Sequence, residues 1–291
     1  MSWKKAERAD LPQLLALARQ REWRCVHFSS RLRPSRAGAQ AGLPPRLEAT
    51  VLLHQAGPQA TAALLLTSGG LLLPLLPPPD GPGGEAEAPR FPHWRGLSRS
   101  LHSVMGPLRE VRWAEKGLSL PARLAIDYHL MVLERRDYRP AGEQPALPGL
   151  RLREAGPQDA RGLYPLQRDY EREEVLIEPG HFDAQACLAN LRKTLRRQLV
   201  ILAERDGRPV SKAGTNARGF GVDQLGGVFT LEGERGRGIA RRVMGALLER
   251  IFREKATVSL FVKKHNGPAV ALYRRLGFRE LEDFRISYFR A

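Results

Sequence analysis

The sequence predicts an α/β (α+β) fold: a mixed, mostly antiparallel sheet flanked by helices, preceded by a second α+β domain. The C-terminal half carries the pattern of an antiparallel run of strands, a strand–helix–strand crossover and a closing edge hairpin. The N-terminal half mixes a helical apolar pattern with short apolar strands. These two patterns together predict two α+β units in one chain.

The chain has 291 residues, which is long enough for two domains of ordinary size. Proline and glycine are concentrated in Tyr138–Gly149, a composition typical of a linker between domains. We therefore expect an accessory domain over residues 1–140, a linker over 141–149 and a second domain over 150–291.

The composition is that of a globular protein with a strong basic excess. Apolar residues make up 42% and charged residues 27%, which excludes collagen-like, coiled-coil and wholly disordered chains. Lys and Arg number 47 against 31 Asp and Glu, giving a formal net charge of +16. This excess favours an anionic partner: nucleic acid, membrane headgroups or a polyphosphate ligand.

Cysteine usage bears on the compartment and on metal binding. Cys25 and Cys187 are the only cysteines and lie far apart, so neither a disulfide framework nor a cysteine-based zinc site is expected. The first ten residues lack the apolar core of a signal peptide. A reducing cytoplasm is the predicted location.

Residues 51–79 carry no charged side chain and are long enough for a transmembrane helix. Prolines and a glycine pair divide them into short apolar pieces, which are more typical of buried strands in a meander. We favour the strands, and no membrane partner is predicted.

Within the N-terminal half, a helix is predicted over Leu11–Arg24, and three strands through residues 47–76. A helical segment is expected near Trp94–Met105 and a strand at Tyr128–Glu134, with the Gly-Pro pair at 106–107 breaking the chain between them. None of these segments contains a catalytic motif.

The C-terminal half is more regular, and Asp206-Gly207 predicts a tight hairpin turn within it. Strands are predicted at Leu150–Glu154, Gln198–Glu204, Pro209–Asn216, Asp223–Thr230 and Val258–Lys263, with two closing strands over 278–289. Helices are predicted after Asp159, over Asp183–Arg197, from the residues after 238 to about Lys255, and over Pro268–Leu276.

A glycine-rich loop joins the strand Asp223–Thr230 to an amphipathic helix. At such a helix start the free N–H groups bind anions, and glycines let a phosphate approach closely. A Walker A loop would need Gly-Lys-Ser/Thr, and a dinucleotide fingerprint would need Gly or Ala where Arg241 stands. The match that remains is Arg-x-x-Gly-x-Ala at Arg235, Gly238 and Ala240. For the loop alone, an ordinary strand-to-helix turn is an equally good interpretation.

A second segment follows about 26 residues later, running from Asn266 to Phe278. Its apolar residues have helical spacing, Pro268 suits the first turn of the helix, and Gly277 suits its C-terminal cap. Tyr273 on its own is typical of a core aromatic. Its separation from the anion-binding loop favours a functional pairing of the two segments.

The two segments together resemble the signatures of the GNAT N-acetyltransferase superfamily, over about residues 150–291. The resemblance implies acetyl-CoA (or another acyl-CoA) as cosubstrate, no metal, and transfer of the acyl group to a primary amine by direct attack. It implies contacts between the cofactor pyrophosphate and the backbone of Arg235, Gly236, Arg237, Gly238, Ile239 and Ala240. The preceding strand, splayed at a bulge, would hold the pantetheine arm and polarise the thioester carbonyl through Val228, Phe229 and Thr230.

In the same resemblance, Asn266 contacts the cofactor and Tyr273 protonates the leaving thiolate. A tyrosine hydroxyl, with an ordinary pKa of about 10, keeps its proton at neutral pH and can donate it. Asp223, early on the splayed strand, is the expected general base. Glu171, Glu173 and Glu174 are alternatives beside the acceptor site, and Asn216 and Arg218 could also face the acceptor.

The N-terminal half resembles the accessory GNAT-like domain of some bacterial two-domain acetyltransferases. Ser103–Gly106 and Tyr128–Met131 carry that likeness. The half lacks an Arg-x-x-Gly-x-Gly/Ala loop, so we interpret it as a degenerate repeat that shapes the acceptor cleft or an interface.

Two other classes of function stay open at this point. A CoA-binding regulatory module without turnover would carry the same signatures. A nucleic-acid-binding protein is suggested only by the charge, since no nucleic-acid motif or array of stacking aromatics is present. The acceptor, the acyl chain and the oligomeric state do not follow from the sequence.

Overall fold

The computed structural model describes residues 2–33, 42–44, 48–56, 59–77, 88–93, 100–140, 142, 147–176 and 182–289. Most of the linker predicted at 141–149 lies outside these residues, and so do residues 94–99 of the helical segment predicted near Trp94–Met105.

Both halves of the chain contain strands and helices. The N-terminal half contains β1 (Ser2–Lys5), α1 (Leu11–Arg19), α2 (Val26–Ser29), β2 (Ala49–Ala56), β3 (Gln59–Thr67), β4 (Leu71–Leu75), β5 (Ser103–Pro107), α3 (Leu108–Leu118) and β6 (Leu124–Glu134). The C-terminal half contains β7 (Leu150–Glu154), α4 (Ala160–Tyr170), α5 (Ala184–Arg197), β8 (Val200–Arg205), β9 (Arg208–Arg218), β10 (Val222–Thr230), α6 (Ile239–Ile251), β11 (Thr257–Lys263), α7 (Gly267–Leu276) and β12 (Arg279–Tyr288).

The twelve strands of the described residues form one sheet, in the order β1-β2-β3-β4-β5-β12-β6-β11-β10-β9-β8-β7. Within the described residues, the β4–β5 and β10–β11 pairs are parallel and the other neighbours are antiparallel. The predicted mixed, mostly antiparallel sheet is confirmed. The series β1–β5 and β7–β11 repeat one pairing pattern, three antiparallel pairs and then a parallel one, so the two halves are built alike.

The halves exchange their last strands. Strand β6 lies between β11 and β12, with Met131 opposite Leu260 on one side and opposite Glu280 on the other. Strand β12 in turn pairs with β5, with Ile286 opposite Met105. Each half therefore completes the sheet of the other, and the central strands are buried by both.

The helices cover both faces of the sheet, and alternation along a strand tells the faces apart. Leu260 and Val262 of β11 pack into the core under α6 and α7, whereas Phe261 between them packs against the core under α1 and α2. Along β8, Val200 belongs to the core under α4 and α5. Helices α1, α2, α4 and α5 thus share one face, opposite α6 and α7.

The helix predicted over Leu11–Arg24 is too long, since α1 ends at Arg19 and a 3-10 turn follows at Glu22–Arg24. The turn points the buried Glu22 carboxylate toward the β9–β10 connection. There its oxygens accept hydrogen bonds from the backbone N–H groups of Phe220 (2.6 Å) and Gly221 (2.7 Å). This clamp between the two halves carries no signal in the local sequence.

Two other expectations were wrong. Ser103–Met105 belongs to strand β5, and the helix begins only after Pro107, as α3. The two closing strands expected over 278–289 are the single strand β12, which has a bulge between Glu280 and Glu282 and lies in the middle of the sheet, not at an edge hairpin. In both cases, pairing with a strand of the other half overrides the local pattern.

The other predicted elements agree with the structure to within a few residues. Asp206 and Gly207 both have positive φ, 50° and 78°, as a tight hairpin turn between β8 and β9 requires. Residues 51–79 contain most of the β2–β3–β4 antiparallel meander. None of the helices in the described residues combines the length and the apolar composition that a membrane span requires.

Candidate active site

A V-shaped gap opens in the sheet between β10 and β11. The two strands pair in parallel from Val222 opposite Thr257 to Leu225 opposite Leu260, and pairing stops there. Both strands continue past this point, β10 to Thr230 and β11 to Lys263. The backbone of 226–230 therefore has no strand partner on the β11 side, and its polar groups there are available to a ligand.

A bulge in β10 lies at the bottom of this gap. The pairing of β10 with β9 shifts register between Gly226 and Phe229, and Gly227 has a φ of 61°. The buried Lys212 of β9 donates a hydrogen bond from Nζ to the Gly227 carbonyl oxygen over 2.8 Å. Its Nζ also lies 4.3 Å from the ring centroid of Tyr170. Burial lowers the pKa of Lys212 to about 8, against the opposing attraction of Glu171.

The glycine-rich loop follows β10 and leads into α6. Gly236 and Gly238 have φ values of 78° and 76°, and Gly238 is the N-cap residue. No side chain caps the helix, and residues 235–238 are exposed. The first-turn N–H groups, with the positive end of the helix dipole, therefore face solvent. These residues fit an anionic ligand, because a Cβ atom at Gly236 would meet nothing within 4 Å.

Charged contacts hold the loop against its surroundings. Arg235 donates from Nε to the Thr230 carbonyl oxygen over 3.0 Å, and its Nη2 lies 2.7 Å from Oε2 of Glu173. Arg237 pairs more loosely with Glu234, at 3.7 Å. Both arginines are about half exposed, so they can turn toward a ligand phosphate at little cost.

Tyr273 lies on α7, within the core under α6 and α7. The residue is 7% exposed, and its ring centroid lies 5.7 Å from that of Phe278. Burial raises the pKa of Tyr273, and nearby Tyr170 and Glu174 raise it further. Its hydroxyl thus keeps its proton at neutral pH.

Asn266 caps the N-terminus of α7, since its Oδ1 accepts a hydrogen bond from Ala269 N over 3.2 Å. Its Nδ2 lies 3.5 Å from Oε1 of Glu174, and Lys263 Nζ lies 3.2 Å from Oε2 of the same carboxylate. Lys263 ends β11, so this group stands at the open end of the gap. Asn266 and Tyr273 thus belong to one helix, at its N-cap and about two turns further on.

Asp223 lies at the closed end of the gap, where β10 still pairs with β11 opposite Val258. It is fully buried, and its Oδ2 lies 3.2 Å from Nε of Arg218. Burial raises its pKa, although Arg218 and Lys255 pull it down. Five residues of strand, about 16 Å, separate it from Val228, so the structure places it away from the open part of the gap.

The three alternative carboxylates lie on a π-helical turn, Glu171–Val175, that extends α4. Glu173 contacts the loop through Arg235, and Glu174 contacts Lys263 and Asn266. These carboxylates therefore stand nearer the open gap than Asp223 does.

Sequence reasoning did not find Lys212 and Tyr170. Lys212 is a lysine within an otherwise apolar and small-residue stretch of β9, Val210–Gly214, and it faces the glycine pair of β10. A charged residue at a buried strand position is the signal that could have singled it out. Tyr170 has no such signal, because a tyrosine that ends a helix has many structural uses.

No group of three or more His, Cys, Asp and Glu side chains could hold a metal ion in the part of the chain that the structure describes. The two cysteines are free.

Comparison with known proteins agrees with this geometry. The family model of the acetyltransferase (GNAT) family matches residues 161–278, the segment that contains the gap, the loop and α7. No curated protein matches the sequence. Residues 161–278 therefore belong to the GNAT acetyltransferase family.

Solved structures resemble the whole chain and not only this segment. A Drosophila protein is 16% identical, with a TM-score of 0.66 and 98% of each chain covered. A tandem GNAT protein from the clavulanic acid biosynthesis pathway is 14% identical, with a TM-score of 0.55 and coverage of 98% and 97%. A GCN5-related N-acetyltransferase from Sphaerobacter thermophilus is 19% identical, with a TM-score of 0.55 and coverage of 100% and 96%. Across both halves, the chain has the fold of a two-domain GNAT protein.

Proposed function

We propose that the protein is an acyl-CoA-dependent N-acyltransferase that transfers an acetyl group from acetyl-CoA to a primary amine. The observation that carries the proposal is the continuity of the gap between β10 and β11 with the uncapped N-terminus of α6. An unpaired strand edge next to an anion-binding helix start suits a ligand with a long amide-containing arm and a pyrophosphate.

In this proposal, the N–H groups of Arg235–Ala240 bind the pyrophosphate, and Val228, Phe229 and Thr230 hold the pantetheine arm. Asn266 acts both as the cap of α7 and as a cofactor contact. When bound, acetyl-CoA supplies an acyl group activated as a thioester. The backbone N–H groups beside the β10 bulge stabilise the negative charge that develops on its carbonyl oxygen.

Tyr273 donates the proton to the leaving thiolate. Its raised pKa keeps it in the donor form throughout the neutral range. Lys212 keeps the bulge in place by binding the Gly227 carbonyl oxygen, which leaves the N–H groups of the bulge for the substrate.

We propose Glu174 as the proton acceptor for the attacking amine, because it lies beside Lys263 and Asn266 at the open end of the gap. Asp223, the base that the sequence predicts, is the alternative. Burial raises the pKa of Asp223, the direction that a general base needs, but the residue is fully buried where β10 and β11 still pair. An Asp223→Asn variant that loses its rate while Glu174→Gln keeps it would reassign the role to Asp223.

The proposed catalytic domain spans residues 150–291, the accessory domain 1–140 and the linker 141–149. The N-terminal half supplies β6 to the catalytic sheet and closes one side of the acceptor cleft. We also propose a cytoplasmic location, supported by two unpaired cysteines far apart in the sequence.

Tyr273→Phe tests the proposal. With acetyl-CoA and a panel of amines, thiol release should fall about 100-fold or more, while CoA affinity measured by calorimetry stays the same. Tyr164→Phe, on α4, is the matched control and should keep the full rate. Unchanged turnover in Tyr273→Phe would reject Tyr273 as the acid. Measurable CoA binding without thiol release from any amine would favour a regulatory module.

A further inference from the structure

A large basic cavity lies between the two halves, on the face of the sheet that carries α2 and α5. Its volume is about 850 Å³. From the N-terminal half it is lined by α2, by described residues within 30–33 and 42–44, and by Glu48. The C-terminal half lines it with the end of α5 and with β9. Volumes of this size are typical of sites for small molecules.

Cations dominate the lining. Among the described residues that line the cavity, Glu48 is the one acidic residue, and the cationic ones are Arg31, Arg33, Lys193, Arg196, Arg197 and Arg218. Arg218 is partly neutralised by Asp223 and Glu254. Lys193, Arg196 and Arg197 form no ion pair with any described residue.

The C-terminal end of α5 attracts cations through the helix dipole, which accounts for Arg196 and Arg197. It does not account for Arg31 and Arg33, which come from the other half and face the same space. Two separate parts of the chain thus bring positive charge to one cavity.

Arg31 is held there at a cost. Burial lowers its pKa, and the charge of Arg197 lowers it further, while Glu48 opposes both. Its Nε is buried and has no hydrogen-bond partner among the described residues. A bound anion would provide that partner and reduce the repulsion between Arg31 and Arg197.

The cavity leads to the β10 bulge through Asn216. This residue lines the cavity and is exposed to it, and a side chain at position 226 would collide with its amide group. Only the width of one side chain therefore separates the cavity from the residue where β10 shifts register. The phosphate-binding start of α6 belongs to the opposite face of the sheet, so the basic cavity is not part of that site.

We propose that the basic cavity binds the anionic end of the acceptor, a small amine that also carries a carboxylate or a phosphate, and directs its amino group past Asn216 to the bulge. The proposal rests on the amine acylation proposed above and names the substrate class for it. Arg31 and Arg197 contact the anion, and Asn216 lies along the path of the amine.

The test compares matched amines that differ in charge: ethanolamine with O-phosphoethanolamine, and propylamine with β-alanine. We expect kcat/KM to be at least about tenfold higher for one or both anionic amines, a difference of 1.4 kcal/mol in transition-state binding. The two pairs show whether phosphate or carboxylate is preferred. Equal kcat/KM within both pairs would overturn the proposal.

The double variant Arg31→Gln/Arg197→Gln should lose that preference while its CoA affinity and melting temperature stay at the wild-type values. Arg192→Gln, an exposed arginine of α5 outside the cavity, is the control for the lost charge. A preference that survives in the double variant, or that falls equally in the control, would overturn the assignment.

A binding measurement separates this proposal from the proposed enzyme activity. If no amine is acylated, the amine acylation fails, and calorimetry of O-phosphoethanolamine and β-alanine with CoA-saturated protein tests the cavity alone. Binding that the double variant loses and the control keeps would support an anion site. Absence of binding would overturn the site as well.

Discussion

Lys212 donates its hydrogen bond to the carbonyl oxygen of Gly227, so a buried ammonium group on β9 fixes the peptide at which β10 leaves its regular pairing. The bond crosses from one strand to the next beneath the ring of Tyr170. A backbone with positive φ at Gly227 is thereby held by a charge-assisted contact, and not by sheet pairing alone.

Lys212→Met should lower the rate of acyl transfer about 10- to 100-fold, because a displaced bulge misplaces the N–H groups that face the substrate. CoA affinity should change little, since the loop at the start of α6 is untouched. Steady-state kinetics with calorimetry measure both quantities. Lys116→Met, an exposed lysine of α3, is the matched control, and equal rate losses in the two variants would argue against the role of Lys212.

Lys212 should also make stability depend on pH. The unfolded lysine keeps its proton up to about pH 10.5, whereas the folded group loses it above about pH 8. Between these values the unfolded chain binds more protons, so stability rises with pH by at most about 1.4 kcal/mol per unit. Urea unfolding at pH 7.5 and 9.5 should show a wild-type gain that Lys212→Met lacks. The wild type and the variant share all other titrating groups. If their free energies of unfolding change equally between the two pH values, Lys212 does not make the predicted contribution.

Glu173→Gln should strengthen CoA binding by about two- to fivefold at low salt. The Glu173 carboxylate pairs with Arg235 at 2.7 Å and places a negative charge beside the loop that would hold phosphates. Its removal frees the guanidinium. Calorimetry at two salt concentrations measures the effect, and Glu249→Gln, farther along α6, should leave CoA affinity unchanged. Weaker CoA binding in Glu173→Gln would show that the Glu173–Arg235 pair organises the loop, and that Glu173 does not compete with the CoA phosphates for Arg235.

Gly277→Ala should destabilise the fold by about 2–4 kcal/mol. Gly277 has a φ of 101°, and a Cβ atom there would collide with the backbone oxygen of Asp137 and approach Leu133 to 3.2 Å. Gly267→Ala, at the open start of the same helix, is the control and should change the free energy of unfolding by less than about 0.5 kcal/mol. Urea unfolding of both variants measures these changes. Similar losses in the free energy of unfolding would contradict the steric explanation.

Much of the C-terminal half was predictable because its signals are local. The Asp206-Gly207 turn, the helix Asp183–Arg197 and the loop Arg235–Ala240 each follow from a few neighbouring residues. Within the N-terminal half, the Gly-Pro pair at 106–107 predicts a break between a helix and a strand. It ends β5 instead, because that strand is paired between β4 and β12.

The rest depends on contacts between distant parts of the chain, which leave no periodic pattern. Lys212 is buried only when β9 packs against α4, and the basic cavity forms only when the fold brings α2 and α5 to the same face of the sheet. The same holds for the position of Asp223. A residue early on β10 is expected to face the acceptor, but whether it does so depends on where the β10–β11 gap opens, three residues further on.

The exchange of β6 and β12 predicts that residues 150–291 will not fold alone. Without β6, strands β11 and β12 would be unpaired edges on either side of an empty position in the sheet. Expressed alone, 150–291 should be insoluble or molten, and co-expression with 1–149 should yield a soluble complex. Solubility and circular dichroism measure this, and a stable, active 150–291 fragment would contradict it.

The same exchange sets an order of events during synthesis on the ribosome. Strand β6 is complete about 120 residues before its partner β11 is made. At about 5–20 residues per second, the wait lasts roughly 6 to 24 seconds. During that time the nascent chain presents an apolar strand with no partner, and it is covered only when β11 and β12 have been made. A chaperone that binds extended apolar segments would therefore have its longest opportunity at Leu124–Glu134.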